Sequence, residues 1–304
     1  MRRKSCSGPD LSLLPLLLLA STAMAQELAP RAYWPAPVGT NVLNLGYQYS
    51  SGDIVTDPSL PVTGVDSKIN FLQVGYQHTF SLFGRTANAQ LSLPYSWGTS
   101  EGFLNNEFIS VDTSGYGDAR ARLSINLRGA PAMDGAGFQA LQADPKTIVG
   151  VSLLLQAPTG TYDEQKYLNT GANRWAVKPA AGVIWPFRPT WMFEAELGAW
   201  LFGDNDEFVG STREQDLIVS SEFHLVKRVG QSFWASLDAN YYFGGRTTID
   251  SVDRADLQRN SRFGFTVYKS IARGHGLRAS FSTGVVTESG GDYAITALSY
   301  IAVW

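Results

Sequence analysis

The stretch that decides the fold is residues 114–128, SGYGDARARLSINLR. From Ala119 to Arg128, every second residue is apolar and the residues between are polar or charged. Because successive side chains of a β-strand point to opposite faces, this period of two predicts a strand with one apolar and one polar face. An amphipathic helix would need apolar residues three and four positions apart, and this stretch does not have them.

The same period of two recurs along the chain, so the sequence predicts twelve strands, an even number. Each is long enough for the roughly 10 residues that a tilted transmembrane strand needs. Short turns alternate with long polar connections, which is typical of outer-membrane barrels. The connection at 129–145 is the exception, because it is long but lies on the short-turn side. The apolar faces of the other eleven strands begin at Leu43, Leu72, Ala87, Val149, Trp175, Trp191, Leu217, Phe233, Phe263, Leu277 and Leu298.

Aromatic residues gather at both ends of the predicted strands. A soluble sandwich or lipocalin-like barrel does not explain two such girdles, whereas two lipid–water interfaces do. The sequence therefore predicts an all-β fold: a 12-stranded antiparallel transmembrane outer-membrane β-barrel over residues 40–304, with both termini in the periplasm. The short-turn girdle comprises Phe80, Phe83, Trp185, Phe187, Trp191, Phe233 and Trp304, and the long-loop girdle comprises Tyr47, Tyr49, Tyr95, Trp97, Trp175, Tyr241 and Phe243.

The composition excludes several other classes of protein. The chain of 304 residues is 44% hydrophobic and 17% charged, which does not fit a disordered protein. It has 24 basic against 27 acidic residues, so no nucleic-acid partner is expected. A single cysteine excludes a disulfide or zinc scaffold. After residue 25, no apolar run approaches the roughly 20 residues that a membrane-spanning helix needs.

The first 25 residues are predicted to be a cleaved signal peptide. A basic start at 2–4, an apolar run at 11–20 and the Ala-Met-Ala site at 23–25 have the three parts of such a peptide. The mature chain would then begin near Gln26 and lack cysteine. Residues 26–39 are predicted to be a periplasmic segment, and the alternative is a stub plug inside the barrel, because the prolines prevent strand pairing and Tyr33-Trp34 favour burial.

The N-terminal region of the predicted mature chain resembles a known family. APRAYWPAPVGTN at 29–41, followed by LGY at 45–47, SSGD at 50–53 and DPSLP at 57–61, is similar to bacterial outer-membrane proteins named for the meta-pathway of phenol degradation. LFGR at 82–85 and LPY at 93–95 also resemble this family, and beyond about residue 100 the resemblance depends mainly on strand spacing. The resemblance implies an outer-membrane barrel for the uptake of aromatic or other hydrophobic compounds. It implies no catalytic residues.

The polar faces of the predicted strands carry charges that are segregated around the lumen. Basic residues on strands four and six would form one wall and acidic residues on strands seven to nine another, which would impose a field across a pore. The alternative is that these charges pair as salt bridges and fill the lumen; Lys178 and Glu196 are expected nearly opposite each other. The predicted pore-lining residues are Asp118, Arg120, Arg122, Arg128, Arg174, Lys178, Glu194, Glu196, Asp216, Glu222, His224, Asp238 and Arg278.

Enzymatic and metal-binding functions have little support in the sequence. His224, with Glu222 two residues away on the same face, is the one candidate for catalysis, and a structural lumen histidine is the favoured interpretation. There is no G-x-S-x-G motif and no histidine pair with metal-ligand spacing. The acidic loop 203–207 offers oxygen ligands for Ca²⁺ but lacks EF-hand spacing, so a solvated loop is expected. We therefore expect no cofactor and no metal.

Three hypotheses for function remain at this stage: passive passage of small molecules, a structural or surface-recognition barrel with a closed lumen, and an outer-membrane enzyme. The expected partners are outer-membrane lipid and lipopolysaccharide. The C-terminal pattern of Leu298, Tyr300 and Trp304 is expected to be the signal that the barrel-assembly machinery reads. The connection 129–145 is expected to be a disordered insertion, with a helical turn that rims the periplasmic mouth as the alternative.

Overall fold

Twelve antiparallel strands close into a barrel in the computed structural model, which describes residues 30–53, 62–104, 106–166, 168–230, 232–288 and 292–304. The predicted signal peptide lies outside the described residues. In chain order the elements are β1 (Asn41–Asp53), β2 (Val62–Leu82), β3 (Arg85–Leu104), β4 (Glu107–Tyr116), β5 (Arg120–Arg128), α1 (Gly135–Ala143), β6 (Ile148–Gln156), β7 (Ala176–Arg188), β8 (Trp191–Phe202), β9 (Asn205–Phe208), β10 (Ser211–Gln215), β11 (Ile218–Val229), β12 (Phe233–Gly244), β13 (Thr247–Ile249), β14 (Val252–Asp253), β15 (Gln258–Ala272), β16 (His275–Val286) and β17 (Asp292–Val303).

Each barrel strand pairs with its neighbours in the chain, and the ring closes where β1 pairs with both β2 and β17. At the C-terminus, the backbone N–H of Trp304 donates to the Asn41 carbonyl at 3.1 Å, and the Asn41 N–H donates to the Trp304 carbonyl at 2.9 Å. The last residue of the chain therefore takes part in closing the barrel. The prediction of a 12-stranded antiparallel barrel is confirmed.

The fourth barrel strand is broken, which the sequence pattern did not predict. β4 and β5 together take the place of the single strand expected at 114–128, and residues 117–119 separate them. The cause lies on β3, where Pro94 has no N–H to continue the ladder. The Gly117 N–H donates to the Pro94 carbonyl at 2.9 Å, and a Cβ on Gly117 would lie 2.8 Å from Pro94 Cγ. The chain can therefore pass Pro94 only at a glycine.

The outer face of the barrel is apolar and exposed, as a membrane-spanning wall requires. Leucines in the middle of the strands are about half exposed, with Leu72 at 49%, Leu123 at 46% and Leu237 at 52%. Aromatic side chains are exposed at both ends of the strands, for example Trp175 at 52% and Trp304 at 63%. None of the helices among the described residues has the length and hydropathy to cross a membrane. The exposed apolar face is that of a barrel whose strands span a membrane.

The long-loop end contains more regular structure than expected. The predicted connection 98–113 is wrong, because β3 and β4 continue through it and pair from Tyr95–Tyr116 up to Leu104–Glu107. The polar composition of residues 98–113 indicates exposure to water. It does not distinguish an irregular loop from a two-stranded hairpin, because both are exposed. Strands β9, β10, β13 and β14 form a second, small sheet that covers parts of the loops predicted at 203–212 and 244–257 and extends to Gln215.

The connection 129–145 is ordered, so the expectation of a disordered insertion is wrong. Helix α1 begins after Asp134, whose carboxylate accepts a hydrogen bond from the Gly137 N–H at 2.8 Å. Such an N-cap satisfies a backbone donor that the first turn leaves free. Ala130 is fully buried, and Arg228 donates to the Gln142 carbonyl at 3.0 Å. These contacts hold the connection against the short-turn mouth of the barrel.

Candidate functional site

Residues 30–39, which we call the N-terminal stub, enter the barrel lumen at the short-turn end. The Arg31 backbone N–H donates to Glu194 Oε2 at 2.6 Å, and the Tyr33 hydroxyl lies 3.0 Å from Ser152 Oγ. The side-chain amide of Asn126 donates to the Tyr33 carbonyl at 3.1 Å. The prediction of a periplasmic segment is therefore wrong for residues 30–34. These residues lie inside the lumen, as the alternative of a stub plug predicts. Residues 26–29 lie outside the described part of the chain.

The Tyr33 ring fits into a space left by two glycines. Gly150 on β6 and Gly182 on β7 are paired across the sheet. A Cβ at Gly150 would lie 2.4 Å from the ring, and a Cβ at Gly182 would lie 2.3 Å from it. Only 4% of Tyr33 is exposed, and burial raises the pKa of its phenol to about 12. Tyr33 is therefore a neutral anchor that fixes the stub to the barrel wall.

The predicted basic and acidic walls meet in one charge cluster, formed by Arg122, Lys178, Glu196 and Glu222. The Glu196 carboxylate accepts from Arg122 at 3.0 Å and from Lys178 at 2.8 Å, and Lys178 also reaches Glu222 at 3.0 Å. Between 8% and 15% of each side chain is exposed. Such pairs offset part of the cost of taking charges out of water. These four residues therefore pair as salt bridges, which was the alternative to two separate charged walls.

The contact between Lys178 and Glu196 forms by a route that the sequence did not reveal. Lys178 falls opposite Trp200 in the β7–β8 register, four residues from Glu196, because Gly182 is the residue paired with Glu196. The lysine stem reaches Glu196 by crossing Gly198, where a Cβ would lie 2.7 Å from Lys178 Cε. Glycine at this position makes the diagonal contact possible.

His224 is held in place by a hydrogen-bonded chain of buried side chains. Its Nδ1 lies 2.8 Å from Asp238 Oδ1, and the Thr266 hydroxyl donates to Asp238 Oδ2 at 2.7 Å. The three side chains are almost completely buried. Among the described residues, no group of three or more His, Cys, Asp and Glu side chains could hold a metal ion.

Asp118 anchors a loop at the long-loop end of the barrel. Its carboxylate accepts hydrogen bonds from the backbone N–H groups of Gly160 and Ala172, both at 2.9 Å, and from the Gln156 amide at 3.0 Å. The loop 157–175 thereby closes the wall beside the break in strand four, where the Thr161 N–H donates to the Tyr116 carbonyl at 2.8 Å. Asp118 does not line the lumen cavity, so its observed place is that of a loop anchor.

Replacing Asp118 by alanine is expected to release this loop without unfolding the barrel. Hydrogen bonds to a charged acceptor stabilise by about 1.5–3 kcal/mol, and two backbone N–H groups of the loop donate to this carboxylate. Limited proteolysis of the refolded variant should cut within 157–175, while Asp118→Asn, which keeps one acceptor oxygen, should be cut more slowly. Equal resistance in Asp118→Ala and the wild type would contradict this role.

Two other predicted pore-lining residues lie elsewhere. Arg128 follows a β-bulge, because the β5–β6 register shifts after Asn126 and pairs Arg128 with Val149 on the outer face. A bulge adds one residue and so moves the following side chains to the opposite face. Asp216 is exposed and precedes β11, where its N–H donates to the Arg246 carbonyl at 2.9 Å. Neither residue borders the lumen cavity.

Arg174 is buried between the barrel and the small sheet. Its guanidinium lies 4.6 Å from the centroid of the Phe202 ring and donates to Gln215. Asp238, bonded to His224 as described, also lies outside the cavity lining. These two residues hold elements together within the barrel and do not border the open space.

A cavity of about 350 Å³ remains in the lumen between the stub and the wall. Eight of the predicted pore-lining residues border it: Arg120, Arg122, Lys178, Glu194, Glu196, Glu222, His224 and Arg278. Residues of the stub and a set of amides on β1–β3, including Gln77 and Gln90, complete the lining and were missed in the sequence. Their signals were present as Tyr33-Trp34 between prolines and as polar residues alternating with apolar ones.

Comparisons with known proteins agree with this architecture. The family described as "Putative MetA-pathway of phenol degradation" matches residues 46–294. An outer membrane channel from Pseudomonas putida F1 is similar at 22% identity and a TM-score of 0.75, over 91% of this chain and 100% of that chain. The β domain of the Bordetella autotransporter BrkA has 12% identity and a TM-score of 0.50, over 88% and 100% of the two chains. Among curated proteins, none matches the sequence.

Proposed function

We propose that this protein is an outer-membrane channel for the passive passage of small molecules. The premise is that the chain belongs to the family described as "Putative MetA-pathway of phenol degradation". The observation that carries the proposal is the cavity of about 350 Å³ inside a closed barrel whose inner face is polar. A polar lumen inside a closed membrane barrel is the arrangement that porins use for a water-filled channel. No catalytic step is part of the proposal.

The family and the neighbour from Pseudomonas putida suggest which solutes to test first. The family's description refers to phenol degradation, and the neighbour is an outer membrane channel. Small monocyclic aromatic molecules are therefore the first class of solute that we propose for this channel. The cavity volume lies near the lower end of the range for small-molecule sites, which is in keeping with one ring.

The decisive experiment is conductance of the purified, refolded protein in a planar lipid bilayer, combined with swelling of proteoliposomes in neutral aromatic solutes. We expect discrete current steps and solute-dependent swelling. If a correctly folded, heat-modifiable barrel gives neither, the lumen is closed by the stub and the proposal is wrong. The structural or surface-recognition barrel, with its function in the ordered extracellular loops, would then take its place.

We also propose that the C-terminal strand carries the assembly signal. Leu298 and Trp304 are exposed on the outer face, at 53% and 63%, and the Tyr300 hydroxyl lies 2.6 Å from His275 Nδ1. Replacing Trp304 by alanine is expected to lower the amount of heat-modifiable barrel in the outer membrane severalfold, because an aromatic end on this face is lost. Trp304→Phe should assemble normally. Unchanged assembly of the alanine variant would contradict the proposal.

A further inference from the structure

We propose that the lumen cavity is a binding site for a monocyclic aromatic carboxylate, with Arg278 and Arg31 as the residues that receive the carboxylate. The inference rests on the proposed channel function and names the chemical class of its solute. It is argued from the charge balance of the cavity, the placement of its carboxylates and the mixture of apolar and polar groups in its wall.

The cavity wall carries more positive than negative charge. Five cationic side chains and three carboxylates line it, a net charge of plus two when His224 is neutral. The three carboxylates are Glu194, Glu196 and Glu222, and all of them lie on β8 and β11. Each is already engaged, two in the charge cluster and Glu194 with the Arg31 backbone N–H. Arg122 and Lys178 share the charge cluster with two of these carboxylates. The excess of positive charge therefore lies on Arg31, Arg120 and Arg278.

The opposite wall contains no carboxylate among the residues that border the cavity. A row of paired positions runs from Ile301 on β17 through Asn44, Gly75 and Ser92 to Arg120 on β5. Arg278 lies beside this row on β16, opposite Ser299. This half of the wall consists of amide, hydroxyl and apolar side chains, with an arginine at each end.

Arg278 and Arg31 have unused donors that an anion could accept from. Within the described residues, the Arg278 side chain has neither an ion pair nor a hydrogen bond. The Nη1 atom of Arg31 is buried and has no hydrogen-bond partner in the described part of the chain. Burial lowers the pKa of Arg31 to about 10, so the guanidinium remains charged at neutral pH. Planar guanidinium groups match a carboxylate in geometry.

The remaining wall suits a planar apolar body. Trp34 of the stub, with Val42, Leu154 and Ile301, borders the cavity from the apolar side. Gly75 leaves the backbone of β2 bare at this point: a Cβ there would meet its nearest heavy atom at 3.7 Å, an ordinary contact. A ring can therefore lie against the wall at Gly75 while its carboxylate faces an arginine. An inorganic anion would interact with the arginines but would make no use of the apolar part of the wall, which is why an aromatic carboxylate fits the cavity better.

The test uses benzoate as the probe and benzamide as its neutral isostere, with the refolded full mature barrel. Binding is followed by tryptophan fluorescence in detergent at low salt, and benzoate-dependent current blocks are followed in bilayers. We expect benzoate to bind more tightly than benzamide. Arg278→Gln should weaken benzoate binding roughly tenfold, the equivalent of one charge-assisted hydrogen bond, whereas Arg278→Lys should retain most of it.

A second pair of variants tests the cavity itself. Gly75→Trp should fill it and abolish benzoate binding in a barrel that remains heat-modifiable, while Gly75→Ala should bind as the wild type does. Equal affinity for benzoate and benzamide, or no effect of Arg278→Gln, would overturn the inference while leaving a conducting channel intact. A barrel that neither conducts nor admits neutral aromatic solutes would instead contradict the proposed function, and with it the inference.

Discussion

Replacing Tyr33 by alanine is expected to raise the single-channel conductance severalfold. The ring fills the space between Gly150 and Gly182, and its hydroxyl contacts Ser152, so its loss removes the main anchor of the stub inside the lumen. Arg31 has a φ of 68°, in the left-handed region that costs a non-glycine residue roughly 1 kcal/mol or more, so the stub holds some strain that release would relieve. Single-channel recording in planar bilayers measures the effect directly.

Two further variants separate displacement of the stub from a general loosening of the barrel. Tyr33→Phe keeps the ring and should conduct as the wild type does, because it loses only the hydroxyl group. Gly182→Ala does not change Tyr33 itself, but it puts a methyl group 2.3 Å from the position of the Tyr33 ring. This variant should therefore expel the stub and reproduce the high conductance. If Tyr33→Ala conducts like the wild type, the stub does not limit the current.

Replacing Lys178 by methionine is expected to lower the free energy of unfolding by about 3 kcal/mol, because removing one partner of a buried ion pair leaves uncompensated charge. Glu222 would lose its lysine, and Glu196 would retain only Arg122. Methionine preserves the length and volume of the stem that crosses Gly198, so the loss would be electrostatic. Denaturant unfolding of the barrel in lipid vesicles, followed by tryptophan fluorescence, gives the difference.

The matched control is the double variant Lys178→Met with Glu222→Gln. It removes the charge that the single variant leaves without its partner, and should therefore recover much of the lost stability. The coupling between the two sites measures their interaction within the charge cluster. Equal stability of Lys178→Met and the wild type would mean that the carboxylates are solvated by lumen water, and that the cluster contributes little to folding.

Much of the architecture could be predicted from the sequence because it follows from local rules. A period of two places side chains on opposite faces of a strand, so the stretch from Ala119 to Arg128 reveals its two-faced strand without knowledge of its neighbours. Aromatic residues at strand ends and the alternation of turn lengths depend on the membrane, which is the same for every barrel. The number of strands and the inward orientation of Arg122 and Glu196 were therefore accessible.

Features that depend on a single residue in a neighbouring strand could not be predicted. The bulge that turns Arg128 outward and the break opposite Pro94 interrupt the period of two at one position each, and a periodic pattern does not show such an interruption. Helix α1 was missed because its Asp134 cap and its contacts with the barrel mouth stabilise a segment whose composition alone resembles a loop.

The sequence by itself determined that this chain is a twelve-stranded outer-membrane barrel with a charged interior, because alternation and girdles are properties of each strand in its membrane. Only the tertiary structure decided what occupies the lumen. Tyr33 lies between Gly150 and Gly182, and Lys178 reaches Glu196 over Gly198. Both contacts pass through gaps left by glycine. Such gaps exist only once the strands are in register, so the shape of the cavity is a property of the closed barrel.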